Sequence, residues 1–181
     1  MSKINDQIGW KTTWQIQKFL DPHDEISAAL KHGLSIVEAL SKYKASFLGT
    51  ENWVSNVALN EGLGELIDLA FGLGTPTAFD GTTGYLGVGD SATAADPTDT
   101  GLIAATNKTY VVFDDNYPAR TNQTVEARAT FGSAVGNHGW QEFTVANGAD
   151  NTAKNLNRKV ADKGTKVSGE TWVALVSLVF S

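Results

Sequence analysis

The tightest grouping of residues with chemical potential is Gly87-Val-Gly89-Asp-Ser-Ala92, behind a strand-like Tyr85-Leu86. Glycines at that spacing let a backbone approach a pyrophosphate, provided a helix N-terminus follows to hold it. No helix-forming run follows here, Pro97 interrupts the region, and Asp90 would repel a phosphate. The segment therefore reads as a structural turn. Asp90, Asp96 and Asp99 offer the carboxylate oxygens that calcium takes, but not in the order of an EF-hand loop. Capping and turn roles account for them, with calcium near Asp90 as the alternative. His23, His32 and His138 are the three histidines, and none forms the close pair that grips zinc. The absence of cysteine removes thiolate ligands, thiol nucleophiles and disulfides. No G-x-S-x-G elbow is present. Asp114 and Asp115 sit together at a turn, where nothing separates an acid from a base. A hydrolase of cell-wall or capsular polymer needs a carboxylate pair, and none stands out. The reading is a non-enzyme with no catalytic residue, metal or cofactor.

The residues suited to binding are of another kind. Of five tryptophans, Trp140 and Trp172 lie on apolar strand patterns and read as core. Trp10, Trp14 and Trp53 lie in a less regular region and read as interface or core, with a sugar platform as the lesser alternative. Trp10-Lys-Thr-Thr-Trp14-Gln-Ile16-Gln alternates as a half-buried strand does. Such a strand can pair with a neighbouring subunit's edge, which makes Trp10, Trp14 and Ile16 candidate interface residues. Net charge is −6, and eight carboxylates fall between Lys44 and Lys108 with no Lys or Arg among them. That block argues against nucleic acid as a partner. It reads as a solvated acidic face, or as a face that docks on a basic partner surface. Glu61, Glu65 and Asp68 are its candidate contacts.

These residues must be held by a scaffold, and the pattern says which. The 181 residues suit one domain with an accessory segment, and charged residues are 19%, below the ~25% usual for soluble domains. Thr171 to Phe180 is apolar, β-branched and aromatic on both faces, so it reads as a strand covered on both sides. Its position at the end of the chain suits a compact or assembling β protein. Acids open and Gly33 closes a short helix over 23–32. Residues 34–50 read either as helix or as the start of a strand. Asn56 to Phe71 carries a broad apolar stripe and reads as the main helix, stopped by Gly72, Gly74 and Pro76. Gly62 and Gly64 weaken it unless they admit another backbone. Strands are expected at 85–89, 108–114, 123–131, 140–146, 156–161 and 171–180, with a helical turn at 99–105. About seven strands with frequent turns predict a mainly β chain, a jelly-roll-like antiparallel β-sandwich over 77–181 behind an N-terminal extended and helical segment over 1–76. The two are expected to pack as one unit. Met1 to Asp24 lacks the apolar core of a signal peptide, and no apolar run is long enough to cross a membrane. A soluble product made in a cytoplasm, with no membrane partner, is the expectation.

An ordered string of segments carries a resemblance. They are Asn60-Glu-Gly-Leu with Glu65-Leu-Ile-Asp-Leu, Tyr85-Leu-Gly-Val-Gly-Asp-Ser, Tyr117-Pro, Ala129-Thr-Phe-Gly, Trp140-Gln-Glu, Asn147-Gly, Asn155-Leu-Asn-Arg-Lys-Val, Gly164-Thr-Lys and Thr171-Trp. In that order the chain resembles a widespread group of tailed-bacteriophage structural proteins, from about Trp10 to Ser181 and most strongly from Tyr85 onward. The resemblance implies a capsid decoration (cement) protein on the outer capsid surface of the virion, synthesised in the host bacterial cytoplasm. Its implied partners are the major capsid protein and itself, as a homotrimer or homodimer. No catalytic residues come with it. A head- or tail-fibre adhesin that binds a host surface glycan is the alternative.

Overall fold

The computed structural model describes residues 9–43 and 46–180. The first eight residues of the polar opening stretch and the terminal Ser181 lie outside the described residues. The chain is mainly β, with two antiparallel sheets and three short helices. The first sheet runs in the order β2 (Ser46–Val54), β1 (Trp10–Leu20), β10 (Glu170–Phe180), β7 (Thr124–Phe131), β6 (Ala119–Thr121). The second runs β3 (Val57–Ala58), β9 (Asn157–Val160), β8 (Glu142–Ala146), β4 (Tyr85–Gly89), β5 (Lys108–Val112).

The alternation of β1 decides its place. Trp14 and Ile16 are fully buried and meet Val176 and Ala174 of β10 in a ladder from Trp10↔Phe180 to Leu20↔Glu170. Strands from the 1–76 segment and from the 77–181 segment thus share one sheet. Between the sheets lies a single apolar cluster. It joins Trp14, Ala129, Phe131, Trp172 and Val176 of the first sheet to Leu86, Val88, Phe143 and Val145 of the second. Trp140 stands at its centre, edge-on to Phe131, Phe143 and Trp172, and its indole N–H donates to the Gly136 carbonyl. The arrangement is sandwich-like.

α1 (Glu25–Lys31) and α2 (Ile36–Lys42) lie on the outer face of the first sheet, where Ile26, Ala29, Leu30 and Ala39 cluster with Phe19 and Val173. The ambiguous 34–50 stretch is both things in turn. A capping box between Ser35 and Glu38 opens α2, and β2 follows. The helices cover only the start of β10's outer face. Val173 is buried, Leu175 and Ser177 are half-buried and Val179 is 38% exposed, so the expectation of a strand covered on both faces along its length fails.

α3 (Asn60–Phe71) begins four residues later than its apolar stripe suggests. Val57 and Ala58 instead pair with Arg158 and Asn157. The expected helical turn at 99–105 is absent. Asp99 is bonded to Arg158, Gly101 takes φ 84°, and the N–H groups of Ile103 and Ala104 donate to Glu142, leaving no i→i−4 ladder to form.

Candidate functional site

α3 turns its charged side inward and its apolar side outward. Gly62 is buried against the second sheet. A Cβ there would overlap Leu156 Cα and lie 2.5 Å from the Asn155 carbonyl oxygen, so glycine sets how closely the helix docks. Flanking it, Glu61 Oε1 accepts the Asn155 N–H at 2.9 Å. Glu65 Oε1 accepts from Thr77 N at 2.6 Å and from Asn147 Nδ2 at 3.0 Å. Leu66 completes this face against the main core. Opposite lie Leu63, Ile67, Phe71 and, just beyond the helix, Leu73, which are 39%, 53%, 75% and 53% exposed. Their 63, 67, 71 spacing keeps them on one side of a helix. An apolar cleft lined by Trp10, Ala58, Leu63, Leu66 and Phe180 continues that face onto the ends of β1 and β10.

Of the residues expected at an interface, Trp14 and Ile16 belong to the interior. Trp14 stacks on Trp53 with ring centroids 6.3 Å apart, and Lys163 Nζ lies 4.3 Å above the Trp53 ring. Neither ring is a free platform for a sugar. Trp10 is half-buried on Phe180 and borders the cleft. β1 has no edge to offer a neighbour, because β10 and β2 occupy its two sides. The free edge of the first sheet on this side is β2.

Most carboxylates of the acidic block accept hydrogen bonds within the molecule, some of them at the surface. Glu51 bonds Lys18 at 2.6 Å and Lys163 at 3.3 Å. Burial pushes its pKa up, and the hydrogen bonds and charges of the two lysines outweigh that and hold it below the ordinary value. Asp80 accepts from Thr82 and Thr83, Asp96 from Thr98, Asp90 from Asn107, and Asp99 from Arg158. With Glu61 and Glu65, seven of the eight carboxylates accept hydrogen bonds. Only Asp68 accepts none among the described residues. Asp90, Asp96 and Asp99 serve different partners, and no cluster of three His, Asp or Glu suited to a metal occurs among the described residues.

The glycines of Gly87-Val-Gly89 make room in the second sheet. A Cβ on Gly89 would overlap the Glu142 carboxylate, and one on Gly87 would press on Tyr110 and Thr144. Glu142 and Arg158 are both fully buried. The guanidinium spans Glu142 at 2.7 Å, Asp99 at 3.0 Å and the Thr93 carbonyl at 2.9 Å, which ties the 90–104 loop to the sheet. His138 Nε2 lies 3.0 Å from Thr109 Oγ1 and its Nδ1 2.8 Å from the Gly139 carbonyl. A carbonyl can only accept, so Nδ1–H donates to it and Nε2 accepts from the threonine hydroxyl, a pairing that pins the 136–139 turn to β5.

No family model matches the chain, and no curated protein or solved structure matches it.

The outward Leu63, Ile67 and Phe71 are missed by the sequence reading because amphipathic periodicity yields two stripes without saying which faces in. A local signal does exist. Gly62 stands on the same side as Glu65, and a glycine in a helix interior marks the side of close approach.

Proposed function

We propose that this chain is a structural protein of a tailed-bacteriophage virion, a head decoration (cement) protein. It binds the outer capsid surface as a homo-oligomer and bridges capsomers to stabilise the shell. It is made in the host bacterial cytoplasm and acts by burying surface, without catalysis. One observation carries the reading: the outward apolar face of α3, with Phe71 75% exposed and Ile67 53% exposed. Contiguous apolar surface on an otherwise well-packed body marks an interaction site, and the capsid protein is the occupant that the family resemblance supplies. Glu61 and Glu65 hold α3 to the second sheet, which favours the apolar face over these two carboxylates as the contact.

The jelly-roll reading of the sandwich belongs to the same proposal. β1 pairs with β10 in one sheet and β3 with β9 in the other, as when a long hairpin is rolled up. The consecutive strands β1–β2, β4–β5, β6–β7 and β8–β9 also pair as neighbours, which is the departure from that plan.

The test is electron cryo-microscopy of the intact particle, alongside binding of Phe71→Asp and Ile67→Asp proteins to particles stripped of this chain. Density at symmetry-related sites over the head, lost with either variant, is expected. Density confined to the tail or projecting fibres overturns the reading in favour of a glycan-binding adhesin. Undiminished binding by both variants removes α3 as the contact.

A further inference from the structure

The two sheets end in four outer strands of unequal character. β3 has two residues, β6 has three, and β5 has five with Lys108 at its start. β2 has nine, SFLGTENWV, without Lys, Arg or Pro. Folded proteins blunt such edges with short strands, lysines or prolines, because unpaired backbone groups recruit another strand. β2 carries only a register irregularity where it passes Lys18 and Phe19 of β1.

The direction of its free groups follows from one bond and the register. The Ser55 N–H donates to the Thr12 carbonyl at 3.0 Å, so residue 55 faces β1. Antiparallel strands alternate the side to which N–H and C=O point. Trp53, Glu51 and Gly49 therefore bond β1, opposite Trp14, Ile16 and Lys18. Val54, Asn52 and Thr50 aim their backbone groups outward.

We propose that β2 pairs antiparallel with β2 of a second copy of this chain, about a two-fold axis at Thr50. The sequence is complementary to itself in that register and in few others. The apolar ends, Phe47 and Leu48 at one side and Val54 at the other, are 50%, 50% and 56% exposed. In that register Val54 falls opposite Ser46, one residue from Phe47 of the other strand, so the apolar ends adjoin at both ends of the pairing. Glu51, the one charge of the strand, falls opposite Gly49 and not opposite its own copy, and its charge is already met by Lys18 and Lys163. Thr50 meets Thr50 in a hydrogen-bonded pair. A register centred on Glu51 would oppose two carboxylates, which is unfavourable, and would put the inward-facing groups at its centre. Such an interface is isologous and closes at two copies. It selects the dimer from the oligomers of the function proposed above, and it does not depend on where on a virion the dimer sits.

Three variants test the pairing in the full chain. Thr50→Pro removes an outward N–H, a position where an edge strand tolerates proline. Thr50→Lys places like charges on the axis. Sedimentation should show a wild-type dimer, with the dissociation constant raised by at least roughly tenfold in each variant and far-ultraviolet circular dichroism unchanged. Thr50→Cys gives a chain with one cysteine, whose Cα would lie ~5.5 Å from its mate, within disulfide reach. It should cross-link as a dimer far faster than Val37→Cys, placed on exposed α2. A monomeric wild type, an oligomer indifferent to proline and lysine, or equal cross-linking by the two cysteine variants overturns the proposal. Solution oligomeric state is read without any particle, so its failure leaves the head placement standing, and failure of the head placement leaves the dimer standing.

Discussion

Gly62 and Gly64 lie two residues apart on α3, and alanine should act on them with opposite sign. At Gly64 a Cβ would meet nothing within 4 Å, so only helix propensity changes and stability should rise by about 1 kcal/mol. At Gly62 the same Cβ would overlap Leu156 Cα and crowd the Asn155 carbonyl. Overpacking costs typically about 1–3 kcal/mol where side chains can shift. The obstacles here are backbone atoms of a segment bonded to Glu61 and to Val145, so the upper end of that range, about 3 kcal/mol, is the relevant figure. Subtracting the gain in propensity, about 1 kcal/mol, leaves a net loss near 2 kcal/mol. For a chain of this size the midpoint should move by about 2–4 °C per kcal/mol. Gly62→Ala should therefore melt roughly 4–8 °C lower and Gly64→Ala roughly 2–4 °C higher. Differential scanning calorimetry measures both, and denaturant titration with unchanged m-values confirms that stability alone has moved. If Gly62→Ala melts at or above the wild type, α3 does not dock through this face, and its outward apolar side has been wrongly assigned.

Further expectations follow from the buried charges and the exposed face. Arg158→Leu leaves Glu142 buried without its cation and should cost about 3–5 kcal/mol; proteolysis should then cut first in the 90–104 loop that the guanidinium holds. Lys166 is buried and donates to the Gly132 carbonyl and Asn137 Oδ1, each at 2.8 Å; burial pushes its pKa down to about 8 from 10.5. The unfolded chain therefore binds more protons between those values, and this lysine's contribution to stability grows as pH rises from about 8 toward 10.5. Lys166→Met should flatten that slope in denaturant titrations across alkaline pH, and an unchanged slope refutes the assignment. Phe71→Asp and Ile67→Asp alter exposed positions and should shift stability by no more than about 0.5 kcal/mol, which separates a binding defect from a folding defect.

The legibility of the fold in the sequence follows contact distance. β7 and β1 alternate over eight or more residues, enough to fix both type and inward face, whereas β10 is apolar on both faces, which fixes its type alone. β3 and β6, with two and three residues, carry no periodicity; they exist because Arg158 and Glu126 stand opposite them. The Ser-x-x-Glu spacing at Ser35 and Glu38 is a local helix-start signal, and it resolves the stretch at 34–50 that composition leaves open. The 99–105 loop misleads because its backbone donors are taken by Glu142, nearly forty residues away. The tryptophans mislead for a related reason. Trp14 and Trp53 look unattached along the chain but stack across adjacent strands, where β2 brings Trp53 beside Trp14.

The same distinction applies to the acidic block. A run of carboxylates without nearby cations in sequence looks like a face left to solvent or to a basic partner. In space, Lys18 lies over Trp172 and reaches Glu51, while Arg158 reaches Asp99 and Glu142. The cations come from β1 and β9, 33 residues from Glu51 and 59 from Asp99. Charge consumed in holding loops and α3 to the sheets cannot also serve as a docking surface without loosening them. Charge reversal at Glu61 or Glu65 would therefore first release α3 by breaking its bonds to Asn155, Thr77 and Asn147, and any loss of binding that followed would be indirect. Asp68 escapes this objection, since no hydrogen bond to its carboxylate occurs among the described residues. Asp68→Lys, measured for both melting and particle binding, is consequently the one charge reversal that tests electrostatic docking without first disturbing the fold.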